Sequence, residues 1–332
     1  MKMEKKYLLK VKMMMKKKKS KIIVIMGPTA SGKTEASIHL AKKYNAEIIN
    51  ADKEQMYKEV NIGTAKITEE EKKGIKHHLI DFLDLNENFT VKDYQEEGRK
   101  ILNNLIDEGK NVIIVGGTGL YIKALLYDYN FGKETKTLDY SAYTNKELKQ
   151  KVDSIYKENN IHENNRKRLE RFLSHYESSG EIIKNYEEKD KALYDFTLIC
   201  LMPDKNELYQ MINKRVDKMI NAGLIEETEK LKEYSALKNI IGYKELLPYL
   251  NGKITKEESI DLIKKDTRHY AKRQITWFKH QFTNVNSFIV DYTNFNNTIK
   301  KIEDYLSSLY KGWFIKHMLF RVKLKELLFF LI

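Results

Sequence analysis

A parallel α/β fold is predicted by three observations. Short apolar runs rich in β-branched residues recur at 21–26, 46–50, 111–115 and 196–202, the signature of strands buried on both faces. Amphipathic helical stretches separate them, as expected for helices flanking a parallel sheet. The first run leads straight into Gly27-Pro28-Thr29-Ala30-Ser31-Gly32-Lys33-Thr34, which fits G-x-x-x-x-G-K-[ST] and opens a helix. Strand, glycine-rich loop and helix together specify a P-loop NTPase-like core. In such a loop the glycines let the backbone wrap oxygens that a Cβ would exclude, and the helix N-terminus favours an anion. Lys33 is placed to reach a terminal phosphate and Thr34 to hold Mg²⁺.

The chain has 332 residues, enough for one large domain or two small ones. Its formal charge is +13, which calls for an anionic partner or reflects drift towards lysine. One cysteine, Cys200, excludes an internal disulfide framework and sits in an apolar run as a core residue. Residues 1–20, rich in Met and Lys, read as a basic extension, and the apolar end at 327–332 is too short to span a bilayer. A helix beginning near Phe314 is expected there. No targeting signal is evident, so the cytoplasm and no membrane partner are expected.

In chain order, the run at 46–50 ends at Asp52, where α/β folds place ligand-facing groups. Asp52 reads as a general base or Mg²⁺ contact, or as the cap of the next turn. A loop is expected over 61–66. His77 and His78, being adjacent, do not share a helix face and read as surface or packing residues. A helix over 89–108 is expected, with Thr90 as N-cap and Asp93 in its first turn. The run at 111–115 ends in Gly116-Gly117-Thr118-Gly119 rather than in the Asp that helps hold Mg²⁺ in P-loop NTPases, which counts against ATP hydrolysis. This second glycine-rich turn is suited to close approach of a ligand, with Thr118 as a hydrogen-bond donor.

From 130 to 192 the sequence is charged and helical by pattern, an insertion in the core. It holds Lys167, Arg168, Leu169, Glu170 and Arg171, where Arg168 and Arg171 share a helix face: a solvated face or a grip on phosphates. A long helix is expected over 205–234, with Gly223 as its point of interruption, and another over 259–280. The latter interleaves Arg268, Lys272 and Arg273 with Tyr270, Trp277 and Phe278. It reads either as a phosphate-tracking, base-stacking surface or as a half-buried helix with rings inward and cations outward. The expected segments are 1–20, core 21–129, insertion 130–192, core 193–290 and a C-terminal helical extension 291–332.

Taken together, the motifs resemble those of the tRNA dimethylallyltransferases, the isopentenyl-transfer family. Besides the P-loop they comprise Ala-Asp-x-x-Gln-x-Tyr at 51–57, Ile-Gly-Thr-Ala-Lys at 62–66, His-His-Leu-Ile-Asp at 77–81 and Gly-Gly-Thr-Gly-Leu-Tyr at 116–121. Ile-Gly-Tyr-Lys-Glu-Leu at 241–246 and Thr-Arg-x-Tyr-Ala-Lys-Arg-Gln-x-Thr-Trp-Phe at 267–278 complete the series. The resemblance implies that Gly27 to Thr34 bind the diphosphate of dimethylallyl diphosphate, with Mg²⁺ helping to neutralise it. It implies catalytic roles for Asp52 as the base at adenine N6, and for Thr29 and Arg215 at the leaving diphosphate. It implies tRNA contacts, to an anticodon stem-loop, at Asp52, Lys53, Glu54, Gln55 and Thr118, and at Lys167 to Arg171 of the insertion; Arg268, Lys272 and Arg273 join them on the basic helix. A monomer is expected. Two departures stand out: Lys53 replaces the family's usual Ser, and the insertion is shorter than in many members. A small-metabolite or nucleotide kinase, a non-catalytic RNA-binding P-loop protein and a transferase acting on free adenine nucleotides remain the other readings.

Overall fold

The computed structural model describes residues 20–129, 131, 138–182 and 191–311. The basic extension up to residue 19 and the segment beyond 311, with its expected helix near Phe314, lie outside the described residues. Two compact units emerge: the described residues up to Leu125 together with those from Tyr194 onward, and the stretch Leu126–Leu193.

The first unit is built on a six-stranded sheet. Its strands are β1 (Ile22–Met26), β2 (Ala46–Asn50), β3 (His77–His78), β4 (Asn111–Gly116), β5 (Phe196–Met202) and β6 (Asn286–Ile289). The order is β3-β2-β4-β1-β5-β6 and every pairing is parallel. The central strand β1 is buried along its whole length, as its unbroken apolar run requires. Two strands escaped the periodicity argument. Strand β3 is a two-residue edge made by the adjacent histidines, and β6 carries the mixed polar sequence Asn-Ser-Phe-Ile. His78 is held at that edge by Glu47 at 2.6 Å, which also takes Lys110 at 2.6 Å.

Helix α1 (Lys33–Tyr44) starts at Gly32 and ends on Asn45 in the left-handed region. Its Ala36, Ile38, Leu40 and Ala41 pack with Ile23, Ile25, Ile48 and Ile113 of the sheet and with Ile302 and Leu306 of a helix over 295–311. Helix α2 (Val91–Asp107) begins at a capping box in which Thr90 and Asp93 satisfy each other's backbone N–H. Helix α3 (Gly119–Leu126) follows the second glycine-rich turn.

The second unit contains α4 (Asn145–Ile155), capped by Thr144 and Glu147, and α5 (Arg166–Ser179). Leu148, Val152, Leu169, Phe172 and Leu173 form its core. Back in the first unit, Gly223 at φ +98 splits the expected long helix into α6 (Lys205–Asn221) and α7 (Leu224–Leu231). The longest described helix, α8 (Lys256–Gln281), starts three residues earlier than the sequence suggests, because Thr255 and Glu258 form another capping box.

Leu169→Ala is expected to cost the second unit about 2–5 kcal/mol through the cavity it leaves, whereas Lys167→Ala, on the exposed face of the same helix, should stay within about 0.5 kcal/mol. Amide hydrogen exchange of α4 and α5 reads this locally, and unchanged protection in Leu169→Ala would contradict the packing described here.

Candidate active site

Because all six strands run in one direction, their C-terminal ends share one edge of the sheet. The P-loop follows β1, Asp52 follows β2, and Gly116 to Gly119 follow β4, so the three sequence features meet there. Within the loop Ala30 and Gly32 adopt positive φ. Ser31 is fully buried, its Oγ donating to the Pro28 carbonyl at 2.8 Å. The Lys33 ammonium folds back to the same carbonyl at 2.7 Å. No side chain caps the N-terminus of α1, which leaves its first backbone N–H groups directed at the loop's concave side.

Three charged groups converge on this edge. Lys33, Asp52 and Arg215 each feel the other two or their nearest partner: Asp52 is coupled to both cations, and Lys33 to both Asp52 and Arg215. Burial dominates all three. It pushes Lys33 down to about 8, lowers Arg215, and raises Asp52 against the pull of the two cations. Beside them Glu54 is pushed up to about 7 by burial, with Lys53 opposing and Asp52 reinforcing the shift. The hydroxyl of Tyr270, raised by burial, is hydrogen-bonded to Thr118 and senses Asp52 and Glu54.

The Asp52 backbone is held by the Asn50 side chain. Asn50 Oδ1 accepts from the Asp52 N–H at 3.1 Å, and Asn50 Nδ2 donates to the carbonyls of Asp52 and Leu79 at 2.9 and 2.8 Å. The Ala51 carbonyl accepts from Thr118 N–H at 3.1 Å, and Thr118 Oγ1 accepts from Lys53 N–H at 3.2 Å.

The second glycine-rich turn differs from its expected role. A Cβ at Gly116 would run into the Ala51 backbone, one at Gly117 into Gln274, and one at Gly119 into the Trp277 ring. The close approach these glycines permit is therefore made by the protein itself. Thr118 Oγ1 accepts from Lys53 N–H, and as a hydroxyl it keeps a proton to donate.

Gln274 is the residue that motif reading undervalued. Buried on α8, it accepts from Thr29 N–H through Oε1 at 2.9 Å and donates through Nε2 to the Gly117 carbonyl at 2.9 Å. One amide thus ties the P-loop to the second turn. The available signal was an amide set among cations on a helix. Tyr292 and Phe295 were missed as well. The Tyr292 hydroxyl donates to the Ala30 carbonyl at 2.9 Å, and the Phe295 ring lies against Gly32 where a Cβ would sit.

The other expected site residues are placed as follows. Gln55 donates to the carbonyls of Thr64 and Ala65 at 3.2 and 3.3 Å. On α8, Lys272 and Arg273 are exposed, Arg268 holds Asn213 at 2.7 Å, and Phe278 is buried with Trp277 packed edge-on to it. The rings face inward and the cations outward, so Trp277 and Phe278 are packing residues and not a stacking platform. In the second unit Lys167, Arg168 and Arg171 are exposed, and Glu170 is engaged by Arg166 at 2.7 Å. Leu169 is fully buried, so its side chain is a core residue and offers nothing to a ligand.

With this geometry in hand, the similarities to known proteins are specific. The profile of the IPP transferase family matches residues 55–281. The chain belongs to the IPP transferase family. A protein named tRNA dimethylallyltransferase from Enterococcus faecalis is 43% identical over 276 residues, covering 79% of this chain and 89% of the relative. One of the same name from Anoxybacillus flavithermus is 41% identical, covering 86% and 96%. Among solved structures, the full-length tRNA isopentenylpyrophosphate transferase of Bacillus halodurans superimposes with a TM-score of 0.68 at 36% identity, covering 90% of this chain and all of that one. A eukaryotic dimethylallyltransferase acting on tRNA gives 0.73 at 26% identity, covering 88% and 80%. The family's fold, a P-loop core with a parallel sheet flanked by helices, is the one described above.

Lys33 gives a direct test of the site's charge state. Above pH 8 in the free protein its amine is mostly neutral, and an arriving anion restores the proton. Binding of inorganic diphosphate just above pH 8 should therefore take up a proton, and affinity should fall as pH rises through about 8. Calorimetry in buffers of different ionisation enthalpy measures the uptake. Lys33→Met should lose it, and equal uptake in both proteins would rule out Lys33 as the group responsible.

Proposed function

We infer that this protein transfers a dimethylallyl group from dimethylallyl diphosphate to N6 of the adenosine 3′-adjacent to the anticodon in tRNA, releasing diphosphate. The observation that carries the reading is the convergence of Lys33, Asp52 and Arg215 at the P-loop edge of an IPP transferase family member.

The chemistry follows from charge and position. The adenine amine attacks C1 of the dimethylallyl group, the C1–O bond breaks, and the electron pair leaves with the diphosphate. Backbone N–H groups of Ala30 to Thr34, the Lys33 ammonium and the Arg215 guanidinium are the positive groups that receive this growing charge. Thr29, anchored through its N–H by Gln274, presents its hydroxyl on the same loop. Asp52 takes the proton that N6 sheds. Its desolvation supports this role, because burial makes it a stronger base than an ordinary exposed carboxylate. Glu54, Gln55, Lys53 and Thr118 surround Asp52 and are proposed as the contacts to the extruded base and its neighbours.

Mg²⁺ suits this site as a metal that arrives with the diphosphate. Among the described residues no cluster of three His, Cys, Asp or Glu side chains is set to hold a metal, whereas Thr34 offers one hydroxyl at the loop's end. Such an ion would be held by Thr34 on the protein side and would supply positive charge against the leaving group.

The exposed cations Lys167, Arg168 and Arg171 on α5 and Lys272 and Arg273 on α8, with the half-buried Arg268, are proposed as contacts to tRNA phosphates and sugars. No helix among the described residues is long and apolar enough to cross a membrane. A cytoplasmic enzyme acting as a monomer fits a tRNA substrate and a set of catalytic side chains supplied by one chain.

The decisive experiment supplies the protein with labelled dimethylallyl diphosphate, Mg²⁺, and either unmodified tRNA bearing adenosine beside its anticodon or free AMP. Label in tRNA supports the reading; label only in AMP assigns the free-nucleotide branch. Asp52→Ala should lower transfer by about 10²–10⁴-fold, the usual contribution of a positioned base, with tRNA affinity in a filter-binding assay nearly unchanged. Full turnover by that variant would remove Asp52 from the base role.

A further inference from the structure

We propose that Glu227 and Tyr243 are positioning residues that set Arg215 for the diphosphate by holding the backbone turn on which its guanidinium rests. This deepens the reading of the site given above and rests on it for the role of Arg215.

Three motifs noted in the sequence have no part in the chemistry so far: Ile-Gly-Thr-Ala-Lys at 62–66, Ile-Gly-Tyr-Lys-Glu-Leu at 241–246, and His-His-Leu-Ile-Asp at 77–81. They meet around one turn. The Glu227 carboxylate, on α7, accepts from the backbone N–H groups of Asn61 at 3.2 Å, Ile62 at 3.0 Å and Gly63 at 3.5 Å. The Tyr243 hydroxyl donates to Glu227 and accepts from Gly63 N–H at 3.1 Å. Tyr243 is fully buried and its ring lies where a Cβ at residue 63 would go, so the second motif requires the glycine of the first. On the far side of the turn, Lys66 Nζ reaches the Lys58 carbonyl at 3.0 Å and Asp81 of the third motif at 2.7 Å.

A turn held this firmly presents its carbonyls in fixed directions. Arg215 Nη2 donates to the Thr64 carbonyl at 3.3 Å, and Gln55 Nε2 donates to the same oxygen at 3.2 Å. Asp52 attracts Arg215 as well. The Thr64 carbonyl therefore competes with Asp52 for the guanidinium. If the turn shifts, Arg215 loses its neutral anchor and is drawn towards the carboxylate, away from the phosphate side and against the group that must stay free to accept a proton. A carboxylate is well suited to this task. It takes three adjacent N–H groups and a hydroxyl at once, where a carboxamide would turn a donor towards donors.

The test is a double-mutant cycle read on inorganic diphosphate binding with Mg²⁺, using the full-length chain. Arg215→Ala should weaken binding about tenfold, and Glu227→Gln should weaken it about threefold to tenfold, within the range of interacting neighbouring residues. Tyr243→Phe, which removes one hydroxyl from a buried ring, should do the same in milder form and stands in where Glu227→Gln does not fold. Combined with Arg215→Ala, either change should add nothing. In the transfer assay both should lower kcat by about tenfold or more with the KM for tRNA unchanged, as expected when a group acting in the transition state is displaced. Losses that multiply with Arg215→Ala, or diphosphate binding equal to wild type in both variants, would overturn the proposal, as would wild-type affinity in Arg215→Ala itself. Intact coupling in a protein that transfers no label to tRNA would support the positioning role while sinking the reaction assigned above.

Discussion

Two cations and one carboxylate, all desolvated, set the character of this protein. Lys33 and Arg215 share Asp52, and burial works against the charge of each. In a low-dielectric pocket an unbalanced positive charge is costly, and a bound anion relieves it. The rest of the molecule can be understood as what is needed to hold these groups near one another before that anion arrives. Six parallel strands bring three loop ends to one edge. The buried Gln274 amide clamps two of those loops, and the Glu227–Tyr243 pair fixes the turn behind Arg215.

The close approaches at this edge explain its glycines. Where β4 ends, Gly116 has the Ala51 backbone at the position a Cβ would take, and Ala51 N–H donates to Val115 at 2.7 Å. This contact continues the β2–β4 ladder by one residue and delivers Asp52 to the mouth of the site. A larger side chain at 116 would push the two strand ends apart and swing Asp52 away from Lys33. Gly119 does the same for α8, since the Trp277 ring occupies its side-chain space and seats the helix that carries Gln274.

Much of this was legible in the sequence because it rests on local rules. The strands at 46–50 and 196–202 appear at their expected limits, since each is an apolar run bounded by turn residues or a helix. The capping box at Thr90 and the break at Gly223 follow from side-chain oxygens and from a backbone angle that only glycine adopts readily. The P-loop, Asp52 and Arg215 came from motifs and a resemblance. What could not be read were partnerships between distant segments. Nothing local shows that Gln274 reaches back to Thr29, 245 positions earlier, or that Glu227 takes the N–H groups of Asn61 and Ile62. Leu169 illustrates the same limit inside a motif: its neighbours point outward, and only the packing of α4 on α5 shows that it points in.

The position of the carboxylate separates this site from a phosphate-hydrolysing one. In a P-loop NTPase the strand beside the loop ends in an Asp that holds the metal over the phosphates. Here that strand is β4, and it ends in glycine, so the place is taken by backbone. The acidic group comes instead from β2, one strand further out, and its backbone is held by the Asn50 side chain. Tyr94, fully buried, locks Asn50 in turn by donating to its carbonyl at 3.0 Å. The carboxylate is thereby set among Lys33, Arg215 and Glu54, beside the turn that carries Thr118. A carboxylate in that place suits an incoming nucleophile better than a leaving phosphate. On the function proposed above, the same loop that elsewhere presents a phosphoryl group for transfer would hold the diphosphate that departs, with Asp52 placed for the proton that the acceptor loses.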